Sequence, residues 1–68
     1  MNLSIGQNIR KIRKLKKWPM EALAEKAGVS MMCVWRVETG RTENPQFETI
    51  ERIAKALDVS IDSLLPDS

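Results

Sequence analysis

The tightest constraint on this chain lies in residues 20–40, MEALAEKAGVSMMCVWRVETG. Leu23, Ala24 and Ala27 recur at helical spacing and face one way. Gly28 follows directly, suited to the left-handed residue just past a helix. Val29 returns the chain to the core, and Ser30 is a good cap for a second helix over about 31–38. Gly40 ends that helix. Two short helices joined by so tight a turn must cross closely, and Ala24 is small enough to lie at the crossing. Leu23, Val29, Val34 and Val37 seal the unit to the rest of the core.

The flanks carry the same kind of punctuation. Ser4-Ile5-Gly6-Gln7 fits the capping box S-x-x-Q. Ile5, Ile9, Ile12 and the stem of Lys16 share one face, which predicts a helix from 5 to about 17. Trp18-Pro19 breaks it, because a residue before proline avoids helical geometry. Pro19 is tolerated in the first turn of the helix that spans 20–27, and Trp18 is expected to pack at the hinge. Arg41 to Pro45 reads as a polar loop. Phe47, Ile50, Ile53, Ala54 and Leu57 are in phase over 47–57. After Asp58-Val59, Ser60 caps a last helix of about one turn, Ile61 to Leu65, and Pro66 stops it. No strand pattern and no repeat is evident. The expected fold is all-α, a single domain over 1–68 with five short helices around one core.

Composition narrows the function. A chain of 68 residues cannot also enclose a large catalytic cleft. One cysteine excludes an internal disulfide, and with no histidine a metal cluster is implausible. Cys33 has no evident base partner, so the requirements of an active site go unmet. An enzyme is excluded on this reading, and no cofactor or small-molecule ligand is expected. No apolar run is long enough to span a bilayer, and no signal-peptide pattern opens the chain. The expected setting is a reducing cytoplasm, away from membranes.

The net charge of +2 conceals an asymmetry. Residues 1–17 hold six basic residues and no acid, whereas 18–68 hold five basic and nine acidic residues. A basic stripe opposite an acidic body suits an oriented approach to an anionic partner, although a merely solvated face is the plainer reading.

The stretches IGQNIRKIRKLKK, EALAEKAGVS, VETG, ETIERIAKALDVS and IDSLL, over about residues 4–65, resemble the phage repressor and Cro-type (XRE-like) helix-turn-helix family. The resemblance implies a compact five-helix domain with its motif at helices 2 and 3. It implies sequence-specific binding of duplex DNA in transcription regulation, with helix 3 in the major groove. It pairs Arg13, near the end of helix 1, with Glu38, near the end of helix 3. It assigns base contact to Met20, where the family commonly has glutamine, and to Met31, Met32, Trp35 and Arg36. It assigns phosphate or groove-wall contact to Ser30, Cys33, Arg41, Thr42 and Asn44, with Arg10 and Lys17 added from the basic stripe. Glu43 lies in the same loop, and Pro19 stands where the family prefers a serine, threonine or asparagine cap. Relatives often dimerise around helices 4 and 5, which leaves both a monomer and a homodimer on DNA open.

The reading positions depart from the usual vocabulary. Arg or Lys normally reads guanine and Asn or Gln adenine, while apolar side chains read the thymine methyl. Only Arg36 is a strong hydrogen-bonding reader here, so T-rich steps with a guanine in reach of Arg36 are expected. An ordinary scaffold with a rewritten reading face would look the same. Val34 and Val37 point inward, which leaves Met31, Met32 and Trp35 as an apolar patch. Such patches also bind proteins, so a protein-interaction module is the alternative.

Overall fold

Local signals set most of the element ends. A computed structural model describes residues 4–42 and 45–66. Its elements are α1 (Ile5–Leu15), α2 (Met20–Ala27), α3 (Met31–Glu38), α4 (Phe47–Leu57) and a 3-10 turn (Ile61–Ser63). The architecture is all-helical, with no strand among the described residues. The fifth expected helix is only that 3-10 turn. Its Ser60 hydroxyl accepts the Ser63 N–H at 3.3 Å, and the chain then leaves helical geometry before Pro66.

The capping box at α1 is complete: Ser4 Oγ accepts the Gln7 N–H and Gln7 Oε1 accepts the Ser4 N–H. The helix ends at Leu15, short of the expected residue 17. Lys17 turns left-handed at φ 61°, and the Trp18 N–H reaches back 3.2 Å to the Arg13 carbonyl. The break therefore precedes the Trp18-Pro19 step. Lys16 is exposed rather than part of the inner face; its ammonium lies 5.3 Å from the Trp18 ring centroid, with that of Lys26 at 5.1 Å. Trp18 itself is half-buried against the core.

All four α-helices and Leu64, just past the 3-10 turn, supply the core. Ile9, Leu23, Val34, Ile53, Leu57 and Leu64 are fully buried. Ile5, Ile12 and Val29 pack half-buried around them. Phe47 departs from its phase and is 67% exposed. It is the first residue of α4, and the buried face of that helix begins only at Ile50.

α2 packs against both α3 and α4. The turn from α2 to α3 holds Gly28 left-handed at φ 71°, with its own N–H and that of Val29 both bonded to the Ala24 carbonyl. The same arrangement recurs after α4, where Asp58 sits at φ 60° and the Val59 N–H returns to the Ala54 carbonyl. The chain thus uses one corner twice, on the recurring residues Ala24, Val29 and Ser30 and Ala54, Val59 and Ser60. At Gly6, α1 crosses the end of α3 so closely that a side-chain carbon would strike the Val37 carbonyl oxygen. Asn8 Nδ2 donates to the Leu64 carbonyl at 3.0 Å and ties the last turn to α1.

Candidate nucleic-acid interface

The support of α3 is an ion pair. Arg13 Nε and Nη2 donate to Glu38 Oε2 and Oε1 at 2.7 and 3.0 Å. Arg13 Nη1 donates to the Trp18 carbonyl at 2.7 Å. Both residues are 6% exposed. One guanidinium thus links the end of α1, the turn into α2 and the end of α3. A buried pair of this kind contributes little net stability, but losing one partner strands the other and costs roughly 3–5 kcal/mol. The pair joins the residues that the sequence resemblance named.

With Val34, Val37 and Glu38 turned inward, the opposite face of α3 is open. Met31 and Met32 are 56% and 55% exposed, and Trp35 is 38% exposed. Met20 is half-buried against the core. These four side chains line one apolar cleft. Met20 opens α2 and Met31 opens α3, so the N-termini of both helices border the same cleft. Pro19 gives α2 no side-chain cap, which leaves the first N–H groups of that helix for an outside acceptor. Glu21, in the first turn, answers part of the helix dipole there. At α3, Ser30 Oγ accepts the Cys33 N–H at 3.0 Å.

Arginines stand along the edge. Arg36 is exposed on α3, and its carbonyl accepts the N–H groups of Arg41 and Thr42, folding the loop back onto the helix. The Arg41 guanidinium lies over the Trp35 ring at 5.4 Å, a cation–π contact that holds the ring as one wall of the cleft. A second groove runs between α3 and α4, lined by Ser30, Met32, Cys33, Arg36, Thr42, Gln46 and Thr49 among others. Ser30, Cys33 and Thr42 therefore sit together beside Arg36, with Cys33 and Thr42 half-buried.

Gln46 and Thr49 were missed from sequence. The available signal was that Gln46 immediately precedes the predicted helix over 47–57; in the structure it makes no side-chain cap bond, so another uncapped helix start borders this groove. Lys17 is exposed three residues before Met20. Arg10 is exposed on α1 and lines neither groove, and its side chain makes no hydrogen bond or ion pair among the described residues. Asn44 and Glu43 lie outside the described residues. No helix among the described residues is long and apolar enough to cross a membrane.

Comparison with known proteins identifies the architecture. The helix-turn-helix family profile matches residues 9–64. The transcriptional regulator SinR of Bacillus subtilis is 38% identical over 63 residues, covering 93% of this chain and 57% of SinR. The chain thus spans little more than half the length of such curated relatives. A crystal structure of SinR in complex with DNA superposes with a TM-score of 0.83 at 38% identity, covering 88% of this chain and 95% of that one. The restriction-modification controller protein C.AhdI from Aeromonas hydrophila gives 0.85 at 33% identity, covering 90% and 91% of the two chains. The P22 c2 repressor in complex with a synthetic operator gives 0.83 at 36%, covering 93% and 94%. The chain belongs to the helix-turn-helix family, in its phage-repressor and Cro-type (XRE-like) branch.

Proposed function

We propose that this chain binds duplex DNA sequence-specifically as the DNA-binding part of a transcription regulator, acting in the cytoplasm and without enzymatic activity. The observation that carries the reading is the convergence of the α2 and α3 N-termini on one exposed face edged by Arg36 and Arg41. Helix N-termini favour phosphate, and arginine favours both phosphate and guanine. Two relatives with this fold were crystallised with DNA.

In this reading α3 enters the major groove. Met20, Met31, Met32, Trp35 and Arg36 meet base edges. Ser30, Cys33, Arg41, Thr42 and Asn44 meet backbone or groove wall, joined by Lys17 and Arg10 from the basic stripe. Gln46 and Thr49 extend that contact along the second groove. A second copy of the chain on the same duplex would use the surface near α4 and the last turn, where Phe47 and Leu65 are exposed. Protein docking through Met31, Met32 and Trp35 is the weaker reading, because the cations and helix N-termini around that patch suit an anionic partner.

Random-site selection followed by fluorescence titration across salt tests the proposal. Binding should weaken steeply with salt as phosphate contacts are lost. Arg36→Ala should relax selectivity at one base pair by roughly 1–3 kcal/mol. Failure to enrich any sequence, or binding indifferent to salt, contradicts the proposal.

A further inference from the structure

We propose that the cleft of Met20, Met31, Met32 and Trp35 seats the C5-methyl group of thymine, and that DNA is selected there by the methyl group rather than by hydrogen bonds to the base. The inference rests on the DNA-binding reading and names what its central surface recognises.

The cleft is defined by the polar groups it lacks. Its lining is three methionines and a tryptophan, drawn from two helices. Thioether sulfurs are weak acceptors, and the indole N–H is the single strong polar group on these side chains. A base edge that presents only carbonyl, amino or ring-nitrogen groups would lose water here and gain little in return. The C5-methyl of thymine is the one apolar feature that an unmodified base pair offers in the major groove.

The surroundings indicate DNA rather than a protein as the source of that apolar group. The first N–H groups of α2 have no capping side chain, and α3 starts at the same edge. Arg41 covers the Trp35 ring at 5.4 Å, which places a cation at the rim while leaving the cleft itself apolar. This layout matches a methyl group flanked by phosphates. Met31 and Met32 are both more than half exposed, and methionine adapts its shape to what it meets. Neighbouring methyl groups on a short thymine run therefore fit as well as a single one.

A sharp consequence separates this mode from ordinary base reading. Recognition that depends on the methyl is indifferent to the rest of the pyrimidine edge. Thymine and 5-methylcytosine should serve alike, whereas deoxyuridine and cytosine should both fail.

The test uses the full chain and the duplex that random-site selection returns. At each thymine in turn, the duplex carries thymine, deoxyuridine, 5-methylcytosine opposite guanine, or cytosine opposite guanine, and Kd is measured by fluorescence anisotropy. At the thymines seated in the cleft, deoxyuridine should weaken binding about fourfold per methyl removed, the factor that corresponds to burying one such carbon. Cytosine should weaken it by a similar factor, and 5-methylcytosine should restore binding to about the thymine value. Met31→Ala and Met32→Ala, which change exposed side chains, should shrink the deoxyuridine penalty while leaving the salt dependence in place; Met→Leu at either site should retain the penalty.

Specific binding that tolerates deoxyuridine at every thymine overturns the proposal while leaving the DNA-binding reading intact. So does 5-methylcytosine behaving like cytosine, since the carbonyl would then be what is read. An unchanged deoxyuridine penalty in the alanine variants, with altered self-association in the absence of DNA, would mark the cleft as a protein-docking surface and overturn it as well. If no duplex binds above random DNA, the underlying reading falls and this proposal falls with it.

Discussion

The corner from Ala24 to Ser30 and the corner from Ala54 to Ser60 are built from the same parts. Each has a buried alanine, a left-handed residue, a half-buried valine whose N–H returns 3.0 Å to the alanine carbonyl, and a serine that caps the next helical turn. Each then drives the residue four beyond its serine fully into the core, Val34 in one case and Leu64 in the other. They differ in what surrounds that anchor. The first corner launches an eight-residue helix that displays Met31, Met32 and Trp35. The second supports three residues of 3-10 helix and closes the core. The shared geometry is therefore scaffolding, and the two corners differ in the residues beside the anchor.

The two corners are also tied down differently, and this difference yields the largest expected effects. The far end of α3 is held by the Arg13–Glu38 pair, whereas the last turn is held by Leu64 and by Asn8 Nδ2, which donates to the Leu64 and Leu65 carbonyls at 3.0 and 3.5 Å. Glu38→Ala should strand the Arg13 charge and cost roughly 3–5 kcal/mol in urea denaturation. Leu64→Ala should cost about 2–5 kcal/mol through its cavity, and should leave DNA affinity unchanged once the protein is folded. A cost below about 1 kcal/mol for Glu38→Ala would show that the ion pair does not hold the end of α3.

The left-handed positions give a smaller contrast. Gly28→Ala places a side chain at φ 71° and should destabilise by roughly 1–2 kcal/mol. Asp58→Gly relieves the same conformation at φ 60° and should gain up to about 1 kcal/mol. Equal and opposite thermal shifts would make the corners equivalent in backbone cost. A loss of stability in Asp58→Gly would mean that the aspartate contributes through its side chain.

Both corners were legible from sequence because their signals are local. Ser4, Gly28, Ser30 and Ser60 each act within a few residues of themselves, and all four perform as their positions implied. The misread features depend on how the elements pack and on how the chain leaves a helix, which residue type alone does not report. α1 stops early because Lys17 turns left-handed as Trp18 bonds back to Arg13 through both main chain and side chain. Phe47 is in phase with Ile50 and Leu57 yet stays outside, since periodicity reports a face without saying where the core begins along it. Gly6 looked like part of a cap, but it also grants the close approach to Val37.

The recognition face was half legible. Removing Val34 and Val37 from the run at 31–38 leaves Met31, Met32 and Trp35 outward, as found. Met20 was grouped with them only through the family resemblance, and that Arg41 folds onto Trp35 depends on how the loop packs against α3. The Arg13–Glu38 pair was named only through family resemblance, because residues 25 positions apart give no local signal of contact.

In the proposed function, the first corner meets DNA and the second does not. Amide chemical-shift mapping during titration with the selected duplex tests this directly. Perturbations should concentrate at residues 20–21, 30–36 and 41–42, with residues 58–60 of the second corner quiet and smaller shifts at 61–65 only where a second copy docks. Perturbations strongest at residues 58–60, or a bound complex in which the amides of α3 do not move, would contradict it.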